Sequence, residues 1–232
     1  MKSEDRPVAL INPNTDSAVT ARMLAIAHRA SNGRLKIDGI TAPFGASLIT
    51  NEKDLALAAD AVASLVPRLD GRYSGIIVAA FGDPGAGLLE AALDVPVVGI
   101  GEAGLREAAR DGRRFCVATT TQDLVASIDR RVVGLGLIGN YAGVVLTSGD
   151  AVSVTGDPQL LEQELRWAIE KATSEHGVDA VVIGGGPLGD AAYALVGRLA
   201  IAIVEPIPAA IRRLIHLIKE DRRRLAGLTG CL

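Results

Sequence analysis

The sequence predicts an α/β protein of two pseudo-symmetric halves, each a mainly parallel sheet flanked by helices, with a cleft between them. Three observations predict it. First, the chain repeats: Val8-Ala-Leu-Ile-Asn-Pro-Asn-Thr15 matches Phe115-Cys-Val-Ala-Thr-Thr-Thr-Gln122 at an offset of 115 − 8 = 107. Gly75–Pro84 likewise matches Ala180–Gly189 at 180 − 75 = 105, and Pro96–Gly99 matches Ala202–Glu205 at 202 − 96 = 106. Second, strand-length apolar runs alternate with helical segments, the pattern of parallel sheets with helices on both faces. Third, Gly75–Ala80 is apolar without interruption, as expected of a strand covered on both sides. The division expected is 1–111 plus 208–232 for the first half, with a closing C-terminal helix, and 112–207 for the second.

In order, Val8–Ile11 is a strand, and the helix to about Arg29 begins after a cap at Thr15 or Asp16. Leu35–Thr41 is the second strand. A loop over Ala42–Ile49 precedes an Ala- and Leu-rich helix from about Glu52 to Leu65. After the strand at Gly75–Ala80, Asp83-Pro84 predicts an N-cap followed by proline at the first helical position. Val95–Ile100 is a strand and Glu102–Ala109 a helix. The programme then repeats with a strand at Phe115–Thr119, a helix at about Gln122–Val133 and a strand at Gly143–Thr147. Asp157-Pro158 opens a helix to about Ser174, Val178–Ile183 and Leu199–Val204 are strands around a helix from about Gly189, and Pro208–Arg224 closes the chain.

Composition narrows the function classes. Of 232 residues, 49% are hydrophobic but only 3% aromatic, so the core is aliphatic and base-stacking platforms are not expected. The net charge of −3 gives no basic footprint for nucleic acid or an anionic membrane. The run Arg222–Arg224 reads as a solvated helix end. The charged start Met1–Arg6 is not a signal peptide, and no apolar run approaches the ~18 residues of a membrane span. Cys116 and Cys231 form neither a disulfide framework nor a metal-ligand spacing. A cytoplasmic protein without metal or cofactor is the expectation.

The loops at the strand ends are where a duplicated α/β fold holds its ligand. Gly184-Gly185-Gly186 lacks the Walker lysine, but glycines there permit close backbone approach and free N–H groups. Thr119, Thr120 and Thr121 add hydroxyls, and Asn12 and Asn14 add amides. Neutral donors of this kind suit a carboxylate, imide or amide better than a polyphosphate. Thr15, Ser47, Ala80, Phe81, Gly82 and Pro187 complete the expected binding set. His28, His176 and His216 fall at helix ends, in a turn and within the last helix, away from these loops.

Ile11–Thr15, Phe81-Gly-Asp-Pro-Gly85, Pro96–Ile100 and the Thr119–Thr121 turn together resemble the hydantoin racemase branch of the aspartate/glutamate racemase superfamily, over about residues 8–218. The resemblance implies two similar α/β halves with the active site between them, assembly as a homo-oligomer, and cofactor-independent racemisation of amino acids, hydantoins or allantoin. Relatives also isomerise and decarboxylate small carboxylates. It further implies one cysteine at the end of the third strand of each half, one thiolate removing the α-proton while the other thiol protonates the opposite face. Those positions are Ala80 and Gly185 here. Cys116 lies mid-strand, ~10 Å short of the loop at ~3.3 Å per residue, and reads as buried and inert; Cys231 reads as superficial.

Without thiols, proton transfer beside a carbonyl needs another base. Asp83, Glu102 and Glu205 are the candidates, each with a competing helix-capping or structural role. The leading expectation is an isomerase- or epimerase-like enzyme acting on a hydantoin-like ring or small carboxylate. The alternatives are ring opening, decarboxylation or elimination on the same substrate class, and a non-catalytic small-molecule binder.

Overall fold

A computed structural model describes residues 6–229. Eight strands form two four-stranded sheets of order β2-β1-β3-β4 and β6-β5-β7-β8, every pair parallel. The first contains β1 (Val8–Asn12), β2 (Ile37–Thr41), β3 (Gly75–Val78) and β4 (Val97–Gly99). The second contains β5 (Phe115–Thr119), β6 (Tyr141–Leu146), β7 (Ala180–Ile183) and β8 (Ala202–Val204). The repeat therefore holds at the level of hydrogen-bond register. Val8 pairs with Gly75 as Phe115 pairs with Ala180, and Ile76 pairs with Val97 as Val181 pairs with Ile203.

Helices α1 (Ser17–Ser31), α2 (Glu52–Ala63), α3 (Val66–Leu69), α4 (Ala86–Ala92) and α5 (Ile100–Ala108) belong to the first repeat. The second has α6 (Val125–Gly134), α7 (Ala151–Gly156), α8 (Pro158–His176) and α9 (Gly189–Leu195), and α10 (Pro206–Thr229) packs back onto α1, α5, β3 and β4. The central strands β1, β3, β5 and β7 are buried at every position because helices cover both their faces, whereas the edge strand β2 exposes Asp38 and Gly39. Val8, Leu10, Ile77 and Val98 join Phe115, Val117, Val182 and Val204 in one core with α1, α5 and α10 between the sheets. Ala9, Ile11, Ile76 and Val78 face α2 and α4, whereas Cys116, Ala118, Val181 and Ile183 face α8 and α9. At ~25 cal/mol per Å² of apolar surface, this shared core couples the halves more strongly than any surface ion pair.

Local signals held at several points. Asp16 caps α1 by accepting from the N–H groups of Ala18 and Val19, and Asp157 with Pro158 opens α8. Asp83-Pro84 behaves differently from expectation. Asp83 adopts a left-handed backbone (φ 49°), α4 starts only at Ala86 after Gly85, and the Asp83 carboxylate turns to another helix. The short α3 and α7 were not anticipated. The arginines at 223 and 224 are exposed, but α10 continues past them, so that run is not a helix end. The readings placed on Met1–Asp5 and on Cys231 lie outside the described residues. Among the described residues, no helix is long and apolar enough to cross a membrane.

Candidate active-site cleft

All parallel strands of a half end at the same edge, so the loops after β1, β2, β3, β5, β6 and β7 converge. They enclose a cavity of about 560 Å³, counting its open mouth. Asn14 enters after β1, Leu48, Ile49 and Leu55 after β2, and Ala79–Gly82 after β3. Thr120, Thr121 and Leu124 come from the other half after β5, Thr155 after β6, and Gly184–Leu188 after β7.

Of the expected binding set, Asn14, Ala80, Phe81, Gly82, Thr120, Thr121, Gly185, Gly186 and Pro187 share this cavity. Asn12, Thr15, Ser47 and Thr119 do not line it. Asn12 is fully buried beneath Asn14: its Nδ2 donates to Asn14 Oδ1 (2.7 Å) and Thr20 Oγ1 (2.9 Å), and its Oδ1 accepts from the Asn14 N–H. Asn14 Oδ1 also accepts from the Asp16 N–H at 3.0 Å, which leaves the Asn14 amide NH₂ as its donor for a guest. Thr15 donates its N–H to Ala46 O and so ties down the loop carrying Leu48 and Ile49. Thr119, fully buried, donates its hydroxyl to Gly184 O at 2.9 Å and fixes the glycine turn.

The three glycines differ. A Cβ at Gly184 would meet Val117 Cγ1 at 2.8 Å, and one at Gly186 would meet Ala79 O at 2.8 Å and Met23 Sδ at 2.7 Å. At Gly185 the backbone is extended (φ 177°, ψ 136°), and a Cβ would meet only Leu188, at 3.1 Å. A side chain at 185 therefore needs a shift of a few tenths of an ångström by one leucine, while 184 and 186 are closed by their neighbours. The expectation of free N–H groups here also narrows. Gly184 donates to Ala118 O and Gly185 to Ile183 O, so Gly186 alone of the three has no backbone acceptor among the described residues.

None of the three candidate carboxylates lines the cavity. Asp83 lies behind its wall, 5% exposed. It accepts from the Gly101 and Glu102 N–H groups, both at 2.7 Å, and from Arg131 Nη2 at 2.6 Å. It thus caps the N-terminus of α5 rather than α4. Burial pushes its carboxyl up to about 6 against the pull of Arg131 and the two amides. Close approach explains the glycines opposite, because a Cβ at Gly99 would sit 2.1 Å from the Asp83 carboxyl carbon. Glu102 pairs with Arg106 (2.8 Å) and Arg213 (3.2 Å), with Arg131 at 3.6 Å. Burial pushes Glu102 up, but these arginines outweigh it and hold the group below the usual carboxylate range.

Glu205 lies between β8 and α10 and does not line the cavity. Burial raises its pKa; Arg212 and Arg29 counter that, while Asp190 and Glu107 add to it. Its Oε2 is buried with no hydrogen-bond partner among the described residues. Cys116 sits in β5, fully buried, its thiol pushed up to about 12 by burial. The histidines are remote as well, His216 pairing with Glu220 on α10. No cluster of three or more His, Cys, Asp or Glu side chains suited to a metal occurs among the described residues.

Sequence reasoning missed Leu48, Ile49, Leu55, Leu124, Leu188, Thr155, Ala79 and Gly184. The signal for Thr155 was available in Asp150, which caps α7 by accepting from the Ser153 N–H. The leucines carried no local signal, since an apolar residue after a strand reads as core.

Comparison with known proteins agrees with this geometry. A family model described as Asp/Glu/Hydantoin racemase matches residues 8–214. Hydantoin racemase of Paenarthrobacter aurescens is 25% identical over 207 residues, covering 88% of each chain. Allantoin racemase from Pseudomonas fluorescens superposes with a TM-score of 0.87 at 26% identity, covering 93% of this chain and 92% of the other. Allantoin racemase from Klebsiella pneumoniae gives the same TM-score at 24% identity, over 94% and 89%. With the motifs, the paired sheets and the family match in agreement, the chain belongs to the Asp/Glu/hydantoin racemase family, in its hydantoin/allantoin racemase-like branch.

Proposed function

We propose that the cleft binds a small hydantoin-like ring or a related amide or carboxylate, and that this chain does not racemise it through side-chain acid–base chemistry. One observation carries the reading: the cavity walls hold no titratable side chain. Their polar groups are the neutral Asn14 amide, the Thr120, Thr121 and Thr155 hydroxyls and backbone amides, between apolar surfaces from Leu48, Ile49, Leu55, Phe81 and Leu124. A flat cyclic amide matches such walls, with its edge satisfied by neutral donors and its faces covered by aliphatic groups. A general base must reach the proton it abstracts, within roughly 3 Å or through one water. Asp83 is turned away and already accepts from three donors, Glu102 is held among arginines, and Glu205 does not line the cavity.

A second reading, ring opening or elimination using a water in the cleft, draws support from the small residues at 80 and 185, which leave space where the family places thiols. Incubation of hydantoin and 5-substituted hydantoins with the protein in heavy water separates these readings. Saturable binding with neither α-deuterium incorporation nor new product supports the binder. Product without exchange supports the hydrolase or lyase reading. Exchange at the α-carbon would return the protein to the isomerases and overturn the proposal.

A further inference from the structure

The two halves seat corresponding helices unequally. Each sends a helix back after its first strand, α1 after β1 and α6 after β5. Asp16 caps α1, and six residues of that helix are buried, Met23, Ile26 and Ala27 among them. Its counterpart α6 has no side-chain cap, is entered through a 3₁₀ turn at Gln122–Leu124, and buries only Ile128 and Val132. Helices in proteins draw most of their stability from packing an apolar face, so the first turn of α6 is the more weakly held. The other end of α6 is anchored. Leu135 and Leu137 pack against the shared core, and the Tyr141 hydroxyl donates to Asp129 Oδ1 at 2.7 Å. Thr121 and Leu124, which line the cleft, lie at the weakly held end.

What steadies that end comes from the opposite half. Two consecutive arginines of α6 both reach across. Arg131 pairs with the buried Asp83 at 2.6 Å. Arg130 pairs with Glu52 in the first turn of α2, one turn before Leu55, itself a cleft residue. The Arg130 and Glu52 side chains are 63% and 54% exposed, so their pair breaks at small cost, whereas the desolvated Asp83 pair resists. Resting on the binding reading above, we infer that the 3₁₀ turn and the first half of α6 are a gate to the cleft, with Arg131–Asp83 as its pivot and Arg130–Glu52 as a catch that water can release. Release lets Thr121 and Leu124 move away from Phe81 and Leu55, and re-forming the pair closes the walls on the guest.

The test is deuterium exchange of backbone amides, resolved to α6, in the wild-type protein, Arg130→Gln, Glu52→Gln, the two combined, and Glu52→Arg with Arg130→Glu. A solvated pair worth up to about 1 kcal/mol corresponds to roughly a fivefold change in the open population. The α6 amides are therefore expected to exchange about two- to fivefold faster in each single variant. They should be no faster in the combined variant and return toward the wild-type rate in the charge swap, with α8 amides unchanged throughout. Salt at about 1 M, which screens exposed charges, should speed α6 exchange in the wild type and leave the single variants as they are. Saturating hydantoin should slow α6 exchange in the wild type. Single variants that leave α6 exchange unchanged, or that speed α8 equally, overturn this inference. Hydantoin that binds without slowing α6 also overturns it, and either result leaves the binding reading standing. Failure of hydantoin to bind overturns the binding reading, and the ligand-free rates then decide the catch on their own.

Discussion

Asp83, from the loop after β3 of the first half, accepts a hydrogen bond at 2.6 Å from Arg131 on α6 of the second half. The same carboxylate caps α5 through the Gly101 and Glu102 N–H groups, so a single buried group joins three elements behind the cavity wall. Arg130 adds a neighbouring, exposed tie from α6 to Glu52 at the start of α2. The two ties differ in worth: the Arg130 pair is solvated and contributes little, while the Asp83 pair is desolvated and costly to break.

Arg131→Ala is therefore expected to destabilise the fold by on the order of 3 kcal/mol, because it leaves a buried carboxylate without its cation. Arg130→Ala is expected to change stability by less than about 1 kcal/mol. Urea denaturation of the two variants at pH 7 checks the contrast, and comparable losses would contradict it.

The Asp83 carboxyl also sets a pH dependence. Burial raises its pKa to about 6 in the folded state, against 3.8 for a free aspartate carboxyl. Between those values the native state binds more protons than the unfolded one, so stability falls as pH rises from about 4 to about 6 and this contribution is level above that. The shift of 6 − 3.8 units corresponds to about 3 kcal/mol. Denaturation of wild type and Asp83→Asn across pH 4–7 is expected to show the wild-type advantage greatest near pH 4 and smaller at pH 7. A constant difference would show that the carboxyl titrates normally.

The glycine turn yields a graded series. Gly185→Ala is expected to cost less than about 1 kcal/mol, whereas Gly184→Ala and Gly186→Ala, which drive a Cβ into Val117 or into the Ala79 carbonyl, are expected to cost roughly 1–3 kcal/mol. Thermal melts rank the three. The same space allows thiols to be placed at both walls: Ala80→Cys with Gly185→Cys is expected to give α-proton exchange in heavy water that neither single variant gives. Exchange in a single variant would show that another group supplies the second proton.

Cys116 is expected to resist thiol reagents in the native protein. With Cys231→Ser as background, a disulfide reagent at pH 8 should label it only in denaturant, because burial keeps its thiol protonated to about pH 12. Rapid native labelling would show that β5 opens locally.

Glu205→Gln is expected to leave ligand affinity unchanged and to match or exceed wild-type stability at pH 7. Burial raises the pKa of this carboxyl, so its ionised form opposes folding once the pH exceeds its ordinary range, and the amide removes that charge. A tenfold loss of affinity would place Glu205 in the binding machinery.

The sequence by itself determined the duplicated strand programme, because a strand buried on both faces must be apolar at every position and Val8–Ile11, Gly75–Val78 and Ala180–Ile183 are. It also determined that the loops bearing Ala80, Thr120 and Gly185 lie at equivalent strand ends, because parallel strands share direction. Only the tertiary structure decided which way side chains on those loops turn. Asp83-Pro84 carries the local signature of a cap for the next helix, yet the left-handed backbone of Asp83 delivers its carboxylate to α5, eighteen residues away, and to Arg131 in the other half. Asn12 and Asn14 look interchangeable in the chain, but a hydrogen-bond network buries one under the other. Equally, nothing local marks Leu55 or Leu124 as walls of a cavity rather than core. Those outcomes depend on what stands opposite each residue once the sheets are packed, and that partner lies in a distant part of the chain.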